Sequence, residues 1–146
     1  MTTIKTLVGL LVAVVAAAVG IVAFGAAQAS ASSASIVIPY AKTCDAAGHC
    51  LGTAGDGGML EMQLTGFRPT GNAAQVTFTE EITVGAISFT AELSGHVSPA
   101  GFIVLNGTVT EGSFEGAQVH QRSNFAGAAG STTSWTGELR LMPASG

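Results

Sequence analysis

The chain has 146 residues, only 10% of them charged, and its nine acids outnumber its five bases for a net charge of −4. Apart from Lys5, the bases are Lys42, Arg68, Arg122 and Arg140, and no two lie close in sequence. Displacing phosphate counterions takes a cluster of cations, so nucleic acid is not expected as a partner.

The first six residues, MTTIKT, carry the single charge of Lys5, and Leu7 to Ala27 carry none. Ala27-Gln28-Ala29 then has the small-x-small form of a signal-peptidase site. A basic start, an apolar centre and a small-residue exit read as a secretory signal helix over residues 1–29, cleaved after Ala29. The alternative is retention of residues 7–27 as a membrane anchor, since about 20 apolar residues can span a bilayer. Either way the rest is expected to be secreted or at the cell surface. Residues 30–35 read as a flexible lead, and 36–146 as a single β domain, long enough for one core but not two.

SIVIPYA (Ser35–Ala41) reads as a short extended segment, ended or placed at an edge by Pro39, which cannot donate to a ladder. The cysteine segment TCDAAGHC (Thr43–Cys50) and the glycine-rich GTAGDGG (Gly52–Gly58) follow as loops. From Met59 onward, residues alternate with period two. Leu60, Met62 and Leu64 share one face, as do Val76, Phe78, Ile82 and Val84, and then Ile87, Phe89, Ala91, Leu93 and Val97. Threonine, serine and glutamate take the opposite face, the pattern of half-buried antiparallel strands. RPTGN (Arg68–Asn72), VGA (Val84–Ala86), SPAG (Ser98–Gly101), EGS (Glu111–Ser113) and AGAAGSTT (Ala126–Thr133) fall where turns belong. Asn106-Gly107 is either a hairpin turn or a bulge within one longer strand. The last strand, TSWTGELRLMP, places Trp135, Leu139 and Leu141 inward. The expected fold is all-β, a small antiparallel barrel or sandwich of about six to eight strands. One Trp and one Tyr do not supply the two aromatic girdles of a membrane barrel, so a soluble barrel is favoured.

Cys44 and Cys50 are the only cysteines, and an exported chain oxidises them by default, so they are read as a disulfide. A zinc reading would recruit Asp45 and His49. The six-residue separation is wider than structural zinc sites use, and adjacent His49-Cys50 ligands would crowd a tetrahedral centre. Asp45 and His49 are therefore read as bystanders, and no metal is expected.

Glu80, in strict alternation, points with Phe78 and Ile82 into the core, where a carboxylate is costly and its pKa rises. The favoured reading is a bulge at Glu80-Glu81, or a strand end at a barrel mouth, that returns it to solvent. In AQVHQRSNF (Ala117–Phe125), Gln121 and Ser123 fall on the face a core strand keeps apolar. They are either polar contacts for a ligand in a barrel interior or marks of an edge strand that resists pairing. His120 and Arg122, on the other face, read as a solvated row.

No nucleophile elbow, H-E-x-x-H, P-loop or calcium loop occurs, and no cofactor is expected. The Gly- and Thr-bearing strands and TSWTGEL (Thr133–Leu139) resemble small secreted up-and-down barrels such as the avidin-like and allene-oxide-cyclase-like groups. That overlap is a few residues of strand and turn composition and transfers no site residue. The leading expectation is a non-enzymatic module binding a small, partly apolar molecule. Phe78, Phe89, Trp135, Met62 and Leu93 would line the site, with Glu80, Gln121 and Ser123 as its polar contacts. One rival is a structural or surface-interaction module with a filled core. The other is an isomerase, cyclase or hydrolase using Glu80 with His120 or His96.

Overall fold

The computed structural model describes residues 34–144, so the expected signal segment lies outside the described residues. Eight antiparallel strands follow one another around a closed barrel: β1 (Ile36–Cys44), β2 (His49–Ala54), β3 (Gly58–Thr70), β4 (Ala73–Val84), β5 (Ile87–Ser98), β6 (Phe102–Gly112), β7 (Gln118–Ala129) and β8 (Thr132–Met142). Each strand pairs with its chain neighbours, and β8 closes on β1 from Ile36↔Leu141 to Cys44↔Thr133. Closure resolves the choice between barrel and sandwich, and it gives every described strand a partner on both sides. The edge-strand reading of Ala117–Phe125 is thereby corrected, since β7 is paired with β6 on one side and β8 on the other.

The hydrophobic alternation becomes an inside and an outside. Ile36, Ile38, Leu60, Met62, Ile82, Leu105, Leu139 and Leu141 are buried in the interior. The outward positions of β4 are Gln75, Thr77, Thr79, Glu81 and Thr83, of which all but the half-buried Thr79 are exposed. The expected turns all occur, with Gly71, Gly85, Gly101 and Gly130 at positive φ in four of them.

Two segments read as loops are strands. The cysteine and glycine-rich stretches form the β1–β2–β3 meander, with Tyr40↔Ala54 through Cys44↔Cys50 on one side of β2 and Ala54↔Gly58 on the other. Pro39 does not end the first strand. The Pro39 carbonyl accepts from Gly55 N at 2.8 Å, so that residue's backbone faces the side of β1 where β2 has just ended. Its missing N–H therefore removes no ladder bond, and β1 runs on to Cys44.

Asn106-Gly107 is neither a turn nor a bulge. It sits mid-strand in β6, opposite Ser94 and Leu93. A Cβ on Gly107 would lie 1.8 Å from the Glu92 carbonyl oxygen, so glycine is required by the close approach of β5. Gly137 in TSWTGEL has the same role, its added Cβ falling 1.9 Å from the Arg122 carbonyl oxygen. Side-chain-free positions like these let the strands coil tightly enough to close a small barrel.

Candidate functional site

The interior is not wholly apolar. Lys42 from β1, Glu80 from β4, and Gln121 and Ser123 from β7 are buried among the hydrophobic residues. Three strands bring them inward. In β4 the alternation runs unbroken through Glu80, with Met62 opposite on β3 and Ala91 on β5. The β3–β4 irregularity falls instead between Leu64 and Gly66. The expected bulge at Glu80-Glu81 is thus corrected, since Glu80 is 0% exposed while Glu81 faces solvent. Strand register, fixed by the apolar residues on either side of Glu80, overrides the cost of burying its carboxyl.

Gln121 Nε2 donates to Glu80 Oε2 at 2.7 Å, joining β7 to β4 across the interior. Glu80 Oε1 and Gln121 Oε1 are both buried and accept from no protein group. Most buried polar atoms have partners, and each that lacks one costs about 1–3 kcal/mol. Ser123 Oγ is hydrogen-bonded to the Tyr40 hydroxyl. Lys42 Nζ meets Met62 Sδ at 3.0 Å and lies 5.3 Å from the Tyr40 ring centre and 5.8 Å from that of Phe78. These are soft, polarisable neighbours for an ammonium group. Among the described residues, the one cation–carboxylate contact within 4.0 Å is His49–Glu61, so Lys42 and Glu80 interact without touching.

The electrostatics follow from this burial. Removal from water lifts the Glu80 carboxyl to about 7, against the opposing pull of the Gln121 hydrogen bond and the Lys42 charge. Burial lowers Lys42 to about 8, and the Glu80 charge resists that shift. The Tyr40 hydroxyl is pushed upward by burial, in opposition to its bond with Ser123. One acid and one amine therefore titrate within a neutral range, inside a low-dielectric interior.

Of the residues singled out from sequence, Glu80, Gln121, Ser123, Phe78 and Phe89 are buried in the barrel. Only Glu80 and Gln121 are joined directly. Trp135 packs at the margin of the core rather than inside it. Its indole N–H donates to Thr133 Oγ1 at 2.9 Å, and its ring meets Phe125 edge-on at 5.4 Å. It is nonetheless the register partner of Lys42. Lys42 and Tyr40 went unrecognised in the sequence reading. The signal for them was the unbroken alternation Ile36, Ile38, Tyr40, Lys42, which the Pro39 reading cut short.

The enzyme pairing is not assembled. His120 projects outward and bonds Asn106 Oδ1 at 2.7 Å through Nδ1, while His96 is exposed and packs edge-on to Phe102. Neither can reach a carboxyl inside the barrel. The disulfide joins Cys44 and Cys50 across the β1–β2 pair, as expected. Asp45 and His49 beside it have roles of their own. Asp45 Oδ1 accepts from Ala47 N and His49 N, shaping the turn, and His49 Nε2 meets Glu61 Oε1 at 2.8 Å.

The outer wall carries shallow grooves. One of about 650 Å³ runs over β6, β7 and β8 between Asn106, His120, Arg122, Glu138 and Arg140. Another, of about 510 Å³, lies between Phe67, Arg68, Gln75 and His96. In comparison with known proteins, no family model matches the chain, and neither does any curated protein or solved structure.

Proposed function

We propose that this is an exported binding protein whose barrel interior receives one small molecule, with its polar end at Lys42, Glu80 and Gln121 and its apolar part against Phe78 and Leu93. The observation that carries this reading is the pair of buried oxygens on Glu80 and Gln121 that no protein group satisfies. A core built only for stability would fill these positions with apolar side chains, which are as stable or more so. Retaining a lysine, a glutamate and a glutamine there implies a use for them. Eight-stranded barrels have interiors of a size that side chains fill or that hold one small ligand.

Export supports the disulfide, and a disulfide is compatible with an extracellular location. Cleavage after Ala29 belongs to the same proposal, and mass spectrometry of the exported protein tests it. The binding test is a panel of small apolar molecules with varied polar ends, followed by fluorescence of Trp135, the single tryptophan, and by thermal stability. Binding raises the melting temperature by mass action and changes the emission of the residue paired with Lys42. A panel that moves neither quantity removes the reading.

One observation favours a second reading, a surface-interaction module. The groove over β6–β8 gathers two of the three exposed arginines, Arg122 and Arg140, together with His120. Loss of binding to a partner on Arg122→Ala or Arg140→Ala, with interior variants unaffected, would favour it.

A further inference from the structure

The interior cluster specifies the chemistry of the polar end it would hold, an inference that rests on the reading of the barrel interior as a ligand site. Glu80 and Gln121 are tied by a 2.7 Å hydrogen bond, so the free oxygens of both belong to one small region of the interior. While Glu80 is ionised, each can only accept, and each requires a donor. Lys42 can only donate while it carries its proton, and its hydrogen-bond partner is the weak acceptor Met62 Sδ. In that ionised state the cluster lacks two donors and a strong acceptor for Lys42.

Charge narrows the choice. Lys42 and Glu80 sum to zero when both are ionised, and again when the proton passes from one to the other. A carboxylate or ammonium head would add a net buried charge without a counter-ion, at a high desolvation cost. An alcohol brings one donor, and an ester or a dialkylamide brings none.

We infer that the site takes a neutral head group with two N–H donors and one carbonyl acceptor, a primary carboxamide or a monosubstituted urea, on a short apolar tail. The two N–H groups meet Glu80 Oε1 and Gln121 Oε1, and the carbonyl accepts from Lys42. The tail lies among Phe78, Leu93 and their apolar neighbours.

The test uses one tail length and four heads on the unaltered protein: hexanamide, hexylurea, N,N-dimethylhexanamide and hexanoate, titrated by Trp135 fluorescence and thermal shift. Hexanamide and hexylurea should bind at least about tenfold more tightly than the other two, the factor expected for one or two buried hydrogen bonds. In Gln121→Leu, which removes one of the two acceptors, that advantage should shrink markedly. Tighter binding of hexanoate, or equal binding of all four, overturns the head-group assignment and leaves the interior ligand site standing. Absence of binding by all four, and by the broader apolar panel, overturns both.

Discussion

Glu80 on β4 and Gln121 on β7 meet inside the barrel through a single 2.7 Å hydrogen bond, and each keeps one oxygen that no protein group satisfies. Forty-one residues apart in the chain, they come together because two independent alternations both run inward at those positions. Together with Lys42, this pair governs how the fold responds to pH.

Glu80 titrates near 7 in the folded chain and near 4.3 when unfolded, so the folded state holds its proton longer. Its contribution to stability is fully present below about pH 4 and is lost as pH rises through 7. Lys42 titrates near 8 folded and near 10.4 unfolded, so its contribution is present above about pH 10 and is lost as pH falls through 8. Stability should therefore pass through a minimum between about pH 7 and 8. The Glu80 arm should be roughly 3 kcal/mol deep. Urea denaturation across pH 4–10 checks this, and Glu80→Gln should flatten the acid arm and, by removing the charge that holds Lys42 up, deepen the basic one.

Replacing the buried ions together should strengthen the fold. Lys42→Met with Glu80→Leu exchanges two desolvated charges for side chains suited to the Met62, Phe78 and Leu93 surroundings. We expect a gain of about 1–4 kcal/mol near neutral pH once Gln121→Leu also removes the amide that Glu80→Leu would leave unpaired. The same triple variant should lose binding of any ligand held by the cluster. Chemical denaturation and Trp135 fluorescence, measured on one preparation, separate the two effects.

Gly137 is a steric requirement rather than a flexible joint. Gly137→Ala drives a Cβ to within 1.9 Å of the Arg122 carbonyl oxygen, and backbone on both sides must shift. The expected cost is about 3 kcal/mol or more. Gly71→Ala, at a turn with φ of 67° and open space around it, should cost only about 1–2 kcal/mol. Denaturation midpoints of the two variants give the comparison.

Reduction of Cys44–Cys50 should weaken the barrel without opening it. The closed loop is short, so the loss should be roughly 2 kcal/mol in the chain-entropy model. For a domain of this size that corresponds to a fall of about 8 °C in the melting temperature. Calorimetry with and without a reductant measures it. Retention of far-ultraviolet β signal at 25 °C should accompany the shift.

Much of this architecture was legible in the sequence, and the exceptions have physical causes. The strands from Met59 onward alternate cleanly because one face packs and the other meets water, so their faces and turns could be read directly. Glu80 could be placed on the inner face, yet the cost of a buried carboxyl argued for a bulge. Register with Met62 and Ala91 decided the matter, and register is a property of three strands at once. The β1–β2–β3 meander was hidden by Pro39 and by GTAGDGG. In those segments proline sits mid-strand beside the end of β2 and glycine permits a close strand crossing, uses that composition alone does not separate from a loop. Lys42 was lost with them, since a lysine after an apparent strand break reads as solvated. Its burial becomes visible only once β1 is paired on both sides.

The most direct test of the interior site is an amide NMR titration with hexanamide, following the Gln121 side-chain NH₂ pair. Binding at the cluster predicts that this pair shifts to saturation with the same midpoint as Trp135 fluorescence, while the outer-wall signals of His120 and Arg122 stay in place. Saturation confined to His120, Arg122 and their neighbours, with the Gln121 pair unmoved, would contradict an interior site and assign function to the outer wall.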